Sequence, residues 1–166
     1  HQLSQDELLE EIEDRHNRSC NVILYNFKES DKETGALRKE DDVIRCKELL
    51  FSNTHDDITY KILSCNRLGK FDRNKTRLLK ITCANSQQVT EILRTYKVKN
   101  RQFLNRDLTA YQRNQSYLVR NEFRKRKENG ENNLVLRYRH GIPKIVVRAD
   151  TESNGDDKSI RDGKNQ

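Results

Sequence analysis

No apolar run in this sequence approaches the ~20 residues that a helix needs to cross a bilayer, and no signal-peptide pattern opens it. A membrane-spanning helix and a secretory leader are therefore not expected. Cysteine is sparse and unpaired in its spacing. Cys20, Cys46, Cys65 and Cys83 form no C-x-x-C, and His1, His16, His55 and His140 stand at no metal-ligand distance from them. That argues against zinc and for small buried thiols in a reducing compartment. Signatures of catalysis are missing too: there is no G-x-x-x-x-G-K-[ST], no G-x-S-x-G and no evident acid–base pair. Neither an enzyme nor a cofactor is expected. Apolar residues are also few, at 33% against 36% charged, with a mean hydropathy of −1.07. The core must be small, with substantial exposed or disordered stretches. The 166 residues have room for one domain, or one with a small appendage. The start at His1-Gln2 reads as an excised or processed piece.

What is abundant is positive charge, unevenly placed. The net +7 conceals a block of −6 over residues 1–14, −1 over 15–60, +16 over 61–148 and −2 over 149–166. A solvated surface normally mixes signs, so the basic block points to a polyanionic partner.

Hydrophobic periodicity then organises the chain. Residues 3–16 read as the end of an acidic helix, with Leu8 and Ile12 four apart and a helix start at Ser4-Gln5-Asp6-Glu7. Cys20–Phe27 reads as a first strand, 37–51 as an amphipathic helix, Ile58–Cys65 as a second strand and Arg77–Cys83 as a third. Asn85-Ser86 caps a helix carrying Val89, Ile92, Leu93 and Tyr96, and Gln102–Arg106 is a short fourth strand. This β-α-β-β-α-β order is that of an α+β, ferredoxin-like fold resembling the RNA-recognition motif. Two helices cover one face of a four-stranded antiparallel sheet and leave the other free for a ligand. Thr109-Ala-Tyr-Gln112 supplies a capping box for a helix running to about Glu128. A β-hairpin over 134–147 follows it. From Ala149 onward the composition reads as a disordered tail.

In RNA-binding domains of this topology, bases stack on aromatic residues of the first and third strands. Here alternation turns Ile23 and Tyr25 outward on the first strand and Leu78, Lys80 and Thr82 on the third, so Tyr25 is the one aromatic among them. The signature [KR]-G-[FY]-[GA]-[FY] is absent. Charge carries the reading instead. The hairpin between the second and third strands offers Arg67, Lys70, Arg73, Lys75, Arg77 and Lys80. The region around the fourth strand adds Lys99, Arg101 and Arg106, the long helix Arg113, Arg120 and Arg124, and the last hairpin Arg137 and Arg139. Such phosphate contacts give salt-dependent, sequence-tolerant binding. Arg113, Arg120 and Arg124 are expected on one helical face, and the start of that helix close to the basic hairpin. Phe103, Tyr111, Tyr117 and Tyr138 read as core aromatics rather than stacking platforms. The alternatives are a single-stranded DNA binder, or a protein-interaction module using the open sheet face and the basic helix.

The order of pieces resembles the first-open-reading-frame protein of LINE-type non-LTR retrotransposons. Three groups of residues carry the likeness: Ile12–Ile23; Cys65–Lys70 with Arg77–Thr82; and Arg106–Arg113 followed by Gly130–Leu134 and Tyr138–Ile145. The resemblance implies an RNA-binding nucleic-acid chaperone that coats its own transcript as a cytoplasmic ribonucleoprotein, with the nucleus as a second location, and oligomerises through an upstream coiled coil. It divides the chain into the end of a coiled coil (1–18), an RNA-recognition-like domain (19–107), a helix-plus-hairpin subdomain (108–148) and a tail (149–166). The coiled coil is nearly absent from this sequence, and the last subdomain is abbreviated after Val147.

Overall fold

The structure is a computed structural model and describes residues 2–51, 61–96, 98, 101–139 and 141–148. It is an α+β fold with four helices, a four-stranded antiparallel sheet and a separate two-stranded sheet among those residues. The elements run α1 (Gln5–Arg18), β1 (Asn21–Tyr25), α2 (Gly35–Phe51), β2 (Ile62–Arg67), β3 (Leu79–Cys83), α3 (Ser86–Thr95), β4 (Phe103–Arg106), α4 (Ala110–Glu128), β5 (Leu134–Arg139) and β6 (Ile142–Val147). The large sheet has the order β2-β3-β1-β4, so β1 is central and β2 and β4 are its edges. The start expected for the second strand at Ile58, Lys99, His140 and the tail from Ala149 lie outside the described residues.

Strand alternation builds the core. Val22 and Leu24 of β1 meet Leu79, Ile81 and Cys83 of β3 and Cys65 of β2 on one face. There α2 covers them with Cys46 and Leu50, and α3 with Val89 and Ile92. Truncating a fully buried member such as Ile81 to Ala would cost about 2–5 kcal/mol. An irregularity in β2 between Ile62 and Ser64 shifts the register. It turns Ile62 toward the core and leaves Leu63 exposed, which simple alternation does not anticipate.

Local chemistry sets the helix ends. Ser4 and Glu7 form a reciprocal capping box on α1, and Thr109 and Gln112 form another on α4. The Asn85 side chain accepts from the backbone N–H of Gln88 to start α3. Gly130, at φ 95°, ends α4 in the left-handed conformation that favours glycine.

The acidic helix α1 is tied by its polar side chains to the segment that joins β4 to α4. Arg18 and Asn21 both donate to the Asp107 carboxylate, at 3.0 and 2.9 Å, and Thr82 donates to Asn21. The hydroxyl of Thr109 donates to Glu11 at 2.6 Å, so the residue that caps α4 also ties it to α1. Leu8, Leu9 and Ile12 of α1 remain about half exposed.

Candidate nucleic-acid interface

The sheet face away from α2 and α3 carries Ile23 and Tyr25 of β1, Lys80 and Thr82 of β3, Ser64 and Asn66 of β2, and Phe103 and Asn105 of β4. Tyr25 and Phe103 are cross-strand partners, and their rings stack with centroids 4.5 Å apart and planes inclined by 10°. Such a pair is favourable by about 0.5–1.5 kcal/mol beyond its buried area. Phe103 is 36% exposed, so it belongs to the surface and not to the core as the sequence suggested. Tyr117 and Tyr138 are likewise well exposed. Alternation along β4, with Leu104 turned toward the core, was the available signal for Phe103.

This face is not simply free. Part of it is the floor of a cleft of about 550 Å³ whose opposite wall is Arg113, Ser116 and Arg120 of α4, with Tyr138 and Gly141 from the second hairpin. Ile23 points outward as alternation requires, yet it is only 5% exposed in that floor. A side chain at Gly141 (φ 79°) would meet Arg106 at 3.0 Å, so the hairpin turn packs directly on β4. Ser116 is buried, and its hydroxyl has no hydrogen-bond partner among the described residues.

The relation of α4 to the basic hairpin differs from expectation. The loop after β2 returns to Leu79, opposite Leu24 toward the end of β1, whereas Arg106 pairs with Val22 near its start. The cap of α4 therefore lies past the opposite edge strand and the opposite end of the sheet. The body of the helix, rather than its cap, shares a cleft with the hairpin, where Arg113 and Arg120 line the same space as Leu68 and Leu78 at the hairpin base. Arg124 continues that face one turn on, exposed but outside the cleft lining.

The basic residues named from the sequence separate into two groups. Arg67 is not a surface cation: its side chain is 5% exposed and pairs with Asp42, itself 4% exposed. Both Arg67 Nε and Nη2 donate to the Asp42 carboxylate at 2.8 Å, and further N–H groups donate to the carbonyls of Phe27, Lys28 and Arg77. Asp42 also accepts from Arg45, whose guanidinium lies 4.6 Å from the Phe27 ring. A buried carboxylate and a buried guanidinium each need such saturation, so Arg67 is withdrawn from the interface. Arg77 is largely engaged as well, donating to both oxygens of Glu29 at 2.9 and 3.1 Å and to the Gly69 carbonyl. Burial pushes the Glu29 carboxyl up, but the hydrogen bonds from Arg77 and the charge of Arg67 outweigh it and hold it below the usual carboxylate value. Arg106 is half-buried and donates to Thr90 of α3.

The second group faces solvent. Arg73, Lys75, Arg101, Arg113, Arg120, Arg124, Arg137 and Arg139 are exposed, as is Lys70 in the turn at Gly69. Lys80 is half-buried on the outer sheet face. Arg101 sits at φ 60° next to Phe103, and its carbonyl accepts from Asn26, itself at φ 58°. A left-handed non-glycine residue costs roughly 1–2 kcal/mol, and the Asn26 contact helps hold it at this end of the sheet.

The described residues contain no group of three or more His, Cys, Asp or Glu that could hold a metal ion. Cys46, Cys65 and Cys83 are buried free thiols, with Cys83 pushed up to about 11 chiefly by burial. No helix among the described residues is long and apolar enough to cross a membrane. Compared with known proteins, the chain matches no family model and no curated protein.

Proposed function

We propose that this chain binds single-stranded nucleic acid, RNA foremost, along the outer face of its large sheet, with little preference for sequence. The observation that carries the reading is the stacked Tyr25–Phe103 pair, exposed at its Phe103 edge, with Tyr25 lining the cleft that Arg113 and Arg120 of α4 wall. Aromatic platforms stack any base, and surrounding guanidinium and ammonium groups neutralise phosphates. Together they yield affinity with steep salt dependence and weak base readout. The strand order β2-β3-β1-β4 with both crossing helices on one face supports a ferredoxin-like, RNA-recognition-like reading of residues 19–107. Residues 108–148 then act as an appended wall of the binding cleft.

Within this reading the chain acts by binding rather than catalysis. The resemblance to the first-open-reading-frame proteins of LINE-type elements makes a retrotransposon ribonucleoprotein with nucleic-acid chaperone activity the biological setting we favour. That assembly is cytoplasmic and homo-oligomeric through an upstream coiled coil. The half-exposed Leu8, Leu9 and Ile12 on α1 are where such a seam would continue.

The test is a filter-binding titration of the chain with single-stranded RNA, single-stranded DNA and duplex DNA at two salt concentrations. Single strands should bind more tightly than duplex, because only unstacked bases reach Tyr25 and Phe103. Equal binding of all three would reduce the surface to a charged patch, and no binding would refute the proposal.

A further inference from the structure

A second groove lies on the other side of the basic hairpin. It encloses about 770 Å³ between the β1–α2 loop (residues 28–33) and the hairpin tip (residues 71–76), with Arg38 at its base. Its walls are fixed by contacts that leave most of its cations unused. Arg38 donates to the carbonyls of Lys32 and Glu33, at 3.1 and 2.8 Å, while its guanidinium lies 4.0 Å from the Phe71 ring across the groove. Arg77 clasps Glu29 beneath it. At the tip, Asp72 accepts from the backbone N–H groups of Asn74 and Lys75.

The side chains of Lys28, Lys32, Arg73 and Lys75 are exposed on these walls, and none forms an ion pair among the described residues. Asp31 and Glu33 share the groove, but Glu29, the third acid lining it, is neutralised by Arg77. Unpaired cations therefore outnumber unpaired acids in a preorganised concavity, which favours an anion.

We infer that this groove is a second seat for phosphate groups, occupied by the phosphodiesters of a strand after it leaves the sheet face. The inference rests on the single-strand reading of the sheet. Continuity supports it, because the hairpin is a shared wall: Leu68 at its base lines the cleft, and Phe71 near its tip lines the groove. Three residues span at most about 11 Å, and Tyr25 and Lys28 are separated by the same interval on the facing loop. A flexible strand covers that distance within a few nucleotides. Lys28 and Lys32, which no pattern in the sequence singled out, become phosphate contacts.

The experiment compares the chain with Lys28→Gln/Lys32→Gln on oligouridylates of about 5 and about 16 nucleotides, bracketing the usual footprint of a single-strand-binding fold. The long oligomer should bind the double variant several-fold more weakly, with a salt slope smaller by roughly 1.4 for two phosphates. The short one, held on the sheet face, should bind both proteins alike. Matching thermal melts exclude misfolding as the cause. Unchanged affinity and slope for the long oligomer would overturn the inference while leaving the sheet-face reading intact. Equal losses on both lengths would also overturn it, since the groove would then not be an extension. Failure of the unsubstituted chain to bind either oligomer would overturn both readings.

Discussion

Arg67 and Arg73 have the same charge and stand on the same hairpin, yet Arg67 is buried and paired while Arg73 is exposed. The partner of Arg67 is Asp42, 25 positions away on α2, and a pairing that distant leaves no trace in local spacing. Cations are therefore legible in the sequence, but which of them are saturated is not. Arg67→Ala should lower stability by about 3–5 kcal/mol, because it strands the buried Asp42 carboxylate, as read from a denaturant melt. Arg73→Ala should stay within about 0.5 kcal/mol. At the aromatic pair, exposure rather than burial sets the expectation. Phe103→Ala and Tyr25→Ala should each weaken single-strand binding by about 1–3 kcal/mol if a base stacks there. Titration of each variant with oligouridylate and with duplex would separate stacking from charge, since duplex affinity should hardly change.

At the scale of elements, periodicity was informative wherever one face of a strand or helix meets the core. The capping boxes at Ser4 and Thr109 and the run of α4 lay where their residues indicated, because those signals are local. The β2 register and the place of α4 were not legible, since the first depends on an irregularity at Ile62/Ser64 and the second on the β5–β6 hairpin, which packs against α4 and lays its turn on β4. Two paired substitutions test the surface that results. Arg73→Ala/Lys75→Ala and Arg120→Ala/Arg124→Ala should each weaken RNA binding about equally for unrelated sequences, with little change in melting temperature. Every phosphate that a substitution leaves without its cation should lower the salt slope by roughly 0.7. The loop clasp adds a pH dependence. Glu29 titrates below its unfolded value, so its stabilising contribution is present above the unfolded pKa and is lost as pH falls through the lowered folded one. Thermal melts on either side of that window should show a steeper acid loss for the unsubstituted chain than for Glu29→Gln.

For the whole molecule, charge asymmetry was the most legible property and the geometry of the candidate binding face the least. The +16 block over residues 61–148 is plain in the sequence, but the cleft depends on α4 and the second hairpin lying over a sheet face that alternation alone leaves open. Oligomeric state follows a separate logic. The seam on α1 offers only Leu8, Leu9 and Ile12, and helices this short associate weakly, so light scattering on residues 1–166 should report a monomer. The central claim, phosphate-led binding of single strands on a basic face with an aromatic platform, is tested most directly by one measurement: the affinity for an unstructured RNA across a series of salt concentrations. The account predicts a linear fall of log K with log salt, with a slope of several units reflecting several phosphates at roughly 0.7 each, and near-identical lines for RNAs of unrelated sequence. A slope near zero, or binding confined to one sequence, would contradict it.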